Sequence, residues 1–252
     1  MRELDEYLAL ACHIARSTGQ SLLRKHDKWS SVLSNSDRQV KLVADIQAEE
    51  LILDALRLET DFLILSEESV SSFIFPSEKD RLYWVIDPLD GSLNYHRGIP
   101  FCCISIALCR NQEVLMGCIF DFNSDEMFTS VLGSKSKLND TVINVSTVNH
   151  RSLGVLFSGL PAGSDYSSQR CEKLAQSILH WNKVRMIGSA ALSLAYVSAG
   201  RGDAYQEDGI FLWDVAAGMA MVRGAGGATR HSNFDHQFRA TVTASNNLLF
   251  PP

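Results

Sequence analysis

Residues 84–92 read WVIDPLDGS, and no other stretch constrains the chain as tightly. Leu82 to Ile86 (LYWVI) is a short apolar and aromatic run of the kind that forms a buried strand. Pro88 follows closely. It has no N–H to give to a ladder and turns the residue before it away from helix, so the strand is expected to stop at Asp87 and a turn to begin. Two carboxylates, Asp87 and Asp90, fall on that turn, followed by Gly91 and Ser92 with little side chain to crowd their amides. Carboxylates beside accessible amides at the end of a buried strand suit a divalent cation, which takes hard oxygen ligands, and a phosphate, which takes backbone N–H donors. An ordinary acidic turn satisfies the same local pattern, because Asp, Pro and Gly are also the common turn residues.

The 252 residues, 46% of them hydrophobic, suffice for one large domain or two closely packed lobes. A net charge of −6 gives no basic footprint for nucleic acid, and no nucleic-acid partner is expected. The N-terminus carries Glu3, Asp5 and Glu6 and no apolar segment of signal-peptide type. No apolar run reaches the ~18 residues needed to span a bilayer, so no membrane association is expected. The six cysteines form no CxxC pair and several sit in apolar runs, which reads as reduced thiols in a cytoplasmic protein.

Helical spacing of Leu4, Leu8, Ala11, Ile14 and Ala15 predicts an amphipathic helix over 3–25. Residues 26–40 read as an exposed loop or hairpin, a second helix starts near Ala44, and FLILS (62–66) is a short buried strand followed by a polar linker over 69–80. Phe101–Cys109, Val114–Asp121 and Glu126–Val131 form an antiparallel meander. The second half alternates: strand 154–160, helix 167–182, strand 184–189, helix 190–199, strand 203–207, helix 214–223 and a last strand 240–246. This gives an α+β lobe over 1–145 and an α/β lobe over 146–252 of a single domain.

Four acidic groups stand at the ends of these elements: Asp45/Glu49, Glu67/Glu68, Asp87/Asp90 and Asp214. Any one of them alone reads as a solvated charge. Converging carboxylates raise one another's pKa and call for a cation, and Mg2+ is the natural one. The histidines show no HxxxH or HxH spacing, which argues against zinc, and there is no GxSxG or Walker A pattern.

Three ordered motifs, SEES (66–69), WVIDPLDGSLNY (84–95) and LWDVAAGMAMVRGAGG (212–227), together with the block 184–207, resemble the inositol monophosphatase family of Mg2+-dependent, lithium-sensitive sugar phosphatases. The likeness spans about Asp45 to Asn246. It implies a layered α/β/α/β/α sandwich, a homodimer, and a small-molecule phosphate ester as substrate. It also implies two Mg2+ ions, with a third left open. By resemblance, Glu67, Asp87 and the Leu89 carbonyl hold the first ion; Asp87, Asp90 and Asp214 hold the second. Asp45 pairs with the Ser92 hydroxyl to orient the attacking water, with Glu67 in the catalytic set. The Gly91 and Ser92 amides bind phosphate, while Gly188, Ser189, Ala190 and Glu207 contact substrate. Glu49 and Glu68 read as supporting residues.

Two departures stand out. Ser92 replaces the family's usual threonine, keeping the hydroxyl and losing a methyl. The approach to Asp45, VKLVAD, is shorter than the usual threonine-rich run, so the loop before it is expected to be arranged differently. Inositol monophosphate is the default substrate. A 3′(2′),5′-bisphosphate nucleotide is the alternative, and a non-catalytic regulatory binding protein on the same fold is a reading from another class.

Overall fold

Strand β4 (Leu82–Asp90) runs through the middle of the molecule and does not stop at Pro88. In the computed structural model of the chain, which describes all residues except 1, 37–38, 71–72, 74–79, 112, 161–166 and 250–252, Asp87 pairs with Ser105 and Asp90 with Cys103. Two residues on β4, Pro88 and Leu89, thus face one on β5 (Cys103–Arg110). The expected turn is therefore a bulge inside a continuing strand. A bulge removes the need for an N–H at Pro88 and re-aims the side chains on either side of it.

Among the described residues β4 belongs to a seven-stranded sheet, ordered β3 (Leu63–Ser66), β4, β5, β6 (Glu113–Asp121), β7 (Glu126–Val131), β8 (Lys137–Leu138) and β9 (Thr141–Val142). β4 to β7 form the antiparallel meander, and β3 adds to β4 in parallel. Side chains alternate across this sheet. Trp84, Ile86, Ile104, Ile106, Met116, Cys118 and Phe120 pack against α1 (Arg2–Arg24) and α3 (Val43–Glu59). The opposite set, Tyr83, Val85, Cys103, Ala107 and Ile119, packs against α6 (Ala190–Ser198) and α7 (Leu212–Gly224).

α6 and α7 are apolar on more than one side because a second sheet covers their other face. Among the described residues that sheet has five strands, ordered β11 (Lys183–Arg185), β10 (Val155–Ser158), β12 (Ala204–Phe211), β14 (Arg239–Ser245) and β13 (Ala228–His231). Phe157, Tyr205, Val242 and Ala244 meet Leu194, Val197, Val215 and Met219 of the two helices. Beyond this sheet, Leu156 and Ala204 pack with Trp181 and with Ile178 at the end of α5 (Ser168–Ile178). The layers are therefore α/β/α/β/α, the sandwich the resemblance implies.

Next come a short helix α2 (His26–Trp29) and an antiparallel pair of strands, β1 (Val32–Ser36) and β2 (Gln39–Leu42), of which β2 runs directly into α3. Another short helix, α4 (Ser92–Arg97), starts where β4 ends. Most of the polar linker expected over 69–80 lies outside the described residues. No helix among the described residues is long and apolar enough to cross a membrane.

Candidate active site

Two helices deliver an aspartate by the same local device. Asp45 is the third residue of α3, and its Oδ2 accepts the Leu42 amide at 2.5 Å. Asp214 is the third residue of α7, and its Oδ2 accepts the Phe211 amide at 3.3 Å. An acid at the third position reaches back to an N–H that the first turn leaves unpaired, and its charge suits the positive end of the helix.

β4 supplies the next two carboxylates. Within the bulge the Leu89 amide donates to Asp87 Oδ1 at 3.0 Å. Glu67 enters directly after β3, the neighbour of β4. Glu67, Asp87 and Asp214 each present an oxygen within 4.8 Å of the others. Burial pushes Asp87 and Asp214 well above the ordinary carboxylate range, and the neighbouring acids Glu67 and Asp90 push in the same direction. Two oxygens each about 2.0–2.5 Å from a common ion are at most about 4–5 Å apart, so this all-oxygen set fits a small hard cation.

Asp90 stands beside this group rather than in it. Its Oδ2 accepts from Ser189 Oγ at 2.6 Å and from the Ala191 amide at 2.7 Å, at the start of α6. Burial raises its carboxyl to about 6, with those donors opposing the rise.

The Ser92 hydroxyl lies 2.6 Å from Asp45 Oδ1 and 3.0 Å from the Leu89 carbonyl. Its single proton serves the shorter contact, which leaves its lone pairs to accept from a third group. Burial raises Asp45 to about 7, while Ser92 and the Leu42 amide hold it down. Gly91 has φ +93°, and a Cβ there would stand 2.7 Å from the Phe101 carbonyl oxygen, so only glycine brings the chain through this corner.

These residues share one cavity of about 230 Å³. Glu67, Asp87, Leu89, Asp90, Gly91, Ser92, Gly188, Ser189, Ala190, Glu207 and Asp214 all line it. Of the residues singled out from the sequence, Asp45, Glu49 and Glu68 are not on its wall; Asp45 stands behind Ser92. On the far side Glu207 is raised to about 7 by burial and accepts the Tyr205 hydroxyl at 2.8 Å. A second chamber of about 680 Å³ opens past Glu67 and Ser92 toward Lys41, Glu68, Trp213 and Arg239.

The sequence reading missed several residues. Ser158 and Gly159 line the cavity, and a Cβ at Gly159 would lie 2.6 Å from both Glu207 carboxylate oxygens. Tyr205 sits two residues before Glu207 on one strand, which places both on one face. That spacing was the available signal. Nothing local announced Gly159, whose partner is 48 positions away.

The inositol monophosphatase family model matches residues 3–247. The chain belongs to the inositol monophosphatase family. It is 40% identical over 219 residues to "Nus factor SuhB" of Xylella fastidiosa, a match covering 84% of this chain and 77% of that one. It is 34% identical over 232 residues to "Inositol monophosphatase" of Dictyostelium discoideum, covering 89% and 84%. Among solved structures, the extragenic suppressor protein SuhB of Bartonella henselae superposes with a TM-score of 0.84 at 30% identity, over 96% and 95% of the two chains. The chain is thus a phosphoric monoester hydrolase of the inositol monophosphatase type.

Proposed function

We propose that this protein hydrolyses the phosphate monoester of a small polyol or sugar, with inositol monophosphate as the default substrate, using Mg2+ and a water nucleophile. One observation carries the reading. The Asp45-backed hydroxyl of Ser92 opens on the same small cavity as the Glu67, Asp87 and Asp214 oxygens, and Glu207 faces it from the other sheet.

The roles follow from the chemistry of the chain. Glu67, Asp87, Asp214 and the Leu89 carbonyl would hold the first and second ions, with Asp90 completing the second set from the wall of the cavity. When bound, the ions supply a lowered pKa for water and a counter-charge for the leaving oxygen. Asp45 fixes the Ser92 proton, so the Ser92 lone pairs accept a hydrogen from water and aim its oxygen at phosphorus. The Gly91 and Ser92 amides, at the start of α4, hold the phosphoryl oxygens. Ser189 and Glu207 receive the hydroxyls of the leaving alcohol, and the small residues Gly159, Gly188 and Ala190 leave room for its ring. Proximity of this kind matters because the uncatalysed hydrolysis of phosphate monoesters is among the slowest reactions known.

The reading includes a homodimer in the cytoplasm with no nucleic-acid or membrane partner. The relatives called Nus factor supply a second one, in which this fold serves a regulatory partner alongside or instead of hydrolysis. Retention of every carboxylate at the site favours hydrolysis. The test is phosphate release from inositol-1-phosphate, adenosine 3′,5′-bisphosphate, fructose-1,6-bisphosphate, histidinol phosphate and an aryl phosphate. A clear preference for inositol-1-phosphate supports the default. A preference for the bisphosphate nucleotide replaces it, and silence on all five favours the regulatory reading.

A further inference from the structure

Glu207 lines the catalytic cavity, but the group that holds its carboxylate is not on the cavity wall. Tyr205 precedes it by two positions on β12, so both side chains stand on one face of the strand. The Tyr205 hydroxyl donates to Glu207 Oε2 at 2.8 Å, and among the described residues it is the one donor to that carboxylate. Tyr205 is fully buried. Its strand lies between β10 and β14, in register with Phe157 and Ala244, and its ring belongs to the core formed with Leu194 and Val242. The phenol is thereby fixed in place. Burial, and after it the charge of Glu207, keeps the phenol protonated and therefore a donor.

Gly159 limits the same carboxylate from a second element. It directly follows β10, and a Cβ there would lie 2.6 Å from both Glu207 oxygens, so bare backbone runs against them. An ionised carboxylate has roughly four acceptor positions, and the phenol fills one. The unfilled positions belong to a side chain only 7% exposed, on a cavity it shares with Gly188, Ser189 and Ala190. Buried acceptors without donors are costly, so such a pocket favours a ligand that brings hydroxyls and rejects one that lacks them.

We propose that Tyr205 is a positioning residue that sets substrate selectivity, holding Glu207 so that its unfilled acceptor positions select a leaving alcohol rich in hydroxyls. The inference rests on the reading above in which Glu207 receives those hydroxyls. Tyr205 acts through Glu207 and does not touch the substrate.

The experiment compares kcat/KM for inositol-1-phosphate with that for an aryl phosphate whose ring bears no hydroxyl, both with Mg2+, and reads the ratio of the two. Tyr205→Phe keeps the ring and removes the donor. It is expected to lower the ratio about 10- to 100-fold, the worth of one hydrogen bond to a charged group. General damage to the fold would lower both rates and leave the ratio in place. Glu207→Gln lowers the ratio as well, and Tyr205→Phe/Glu207→Gln gives the same ratio as Glu207→Gln alone, because the phenol works only through the carboxylate. That second comparison decides the matter where the single Tyr205→Phe variant lacks a cooperative melt, and a further fall in the double variant overturns the inference. A ratio that drops in Glu207→Gln and stays at the wild-type value in Tyr205→Phe overturns the inference and leaves the role of Glu207 intact. A wild-type ratio unchanged in Glu207→Gln, or a wild type silent on both esters, overturns both.

Discussion

Removing the Ser92 hydroxyl tests the water-orienting pair directly. Ser92→Ala deletes a donor 2.6 Å from Asp45 Oδ1 and leaves that buried carboxylate with the Leu42 amide at its other oxygen. Losing one hydrogen bond to a buried charged group costs about 1–3 kcal/mol. Because the hydroxyl favours the ionised form of Asp45, the loss falls on that form and raises its pKa further. The carboxylates Glu67, Asp87 and Asp214 are untouched, so ion and substrate binding survive. What is lost is the aim of the water, and misplacing a reacting group by about 1 Å costs on the order of 10²-fold in rate. The expected result is a fall in kcat of roughly 10²- to 10³-fold, as for removal of one oriented polar group from an active site, with KM changed less than about threefold. Ser92→Thr, which keeps the hydroxyl, should recover most of the rate. Steady-state phosphate release measures both constants. A rise in KM at constant kcat would refute the reasoning, because it would make Ser92 a ground-state binding residue.

Other expectations follow from the same geometry. Asp87→Asn should abolish turnover yet stabilise the metal-free fold, since it removes one of several buried like charges; chelator-treated thermal melts check the second half. Gly159→Ala puts a methyl 2.6 Å from the Glu207 oxygens and should raise KM about tenfold, the equivalent of one weakened hydrogen bond, with little change in kcat. Without metal, the raised carboxyls of Asp45 and Glu207, both about 7, and Asp90, about 6, bind protons more tightly in the folded than in the unfolded state. Their stabilisation is complete below about pH 4 and is lost as pH rises through 6–7, by up to roughly 4 kcal/mol for Asp45 alone. Melts in chelator between pH 4.5 and 8 should show that decline, and stability rising across the window would contradict it.

The parts of the fold legible from sequence were those with a strong local pattern. The meander β5–β7 shows as apolar runs separated by short polar turns, and α1 shows one apolar stripe, so both are recognisable within a residue or two. β4 was cut short because Pro88 breaks a regular ladder, whereas the bulge opposite Ile104 absorbs it. β12 runs on to Phe211 through a bulge between Asp208 and Ile210, which a reading that stopped at Glu207 passed over. β13, with sequence ATRH, has no apolar alternation; its place is fixed by pairing with β14. At the site, the resemblance named the carboxylates residue by residue, but only the folded chain brings Glu67, Asp87 and Asp214 within reach of one another. The contacts of Gly159 with Glu207 and of Lys41 with Glu68 join distant segments, and no local pattern encodes them.

The central claim is that the buried carboxylates work through a divalent ion to hydrolyse a phosphate monoester. The most direct test is phosphate release from inositol-1-phosphate by wild type and Asp87→Asn, each after chelation and after return of Mg2+. The account predicts turnover in the wild type that vanishes with chelator and returns with Mg2+, and none in Asp87→Asn under either condition. Wild-type turnover that persists in chelator, or an Asp87→Asn variant that keeps near-normal turnover with Mg2+, would contradict it.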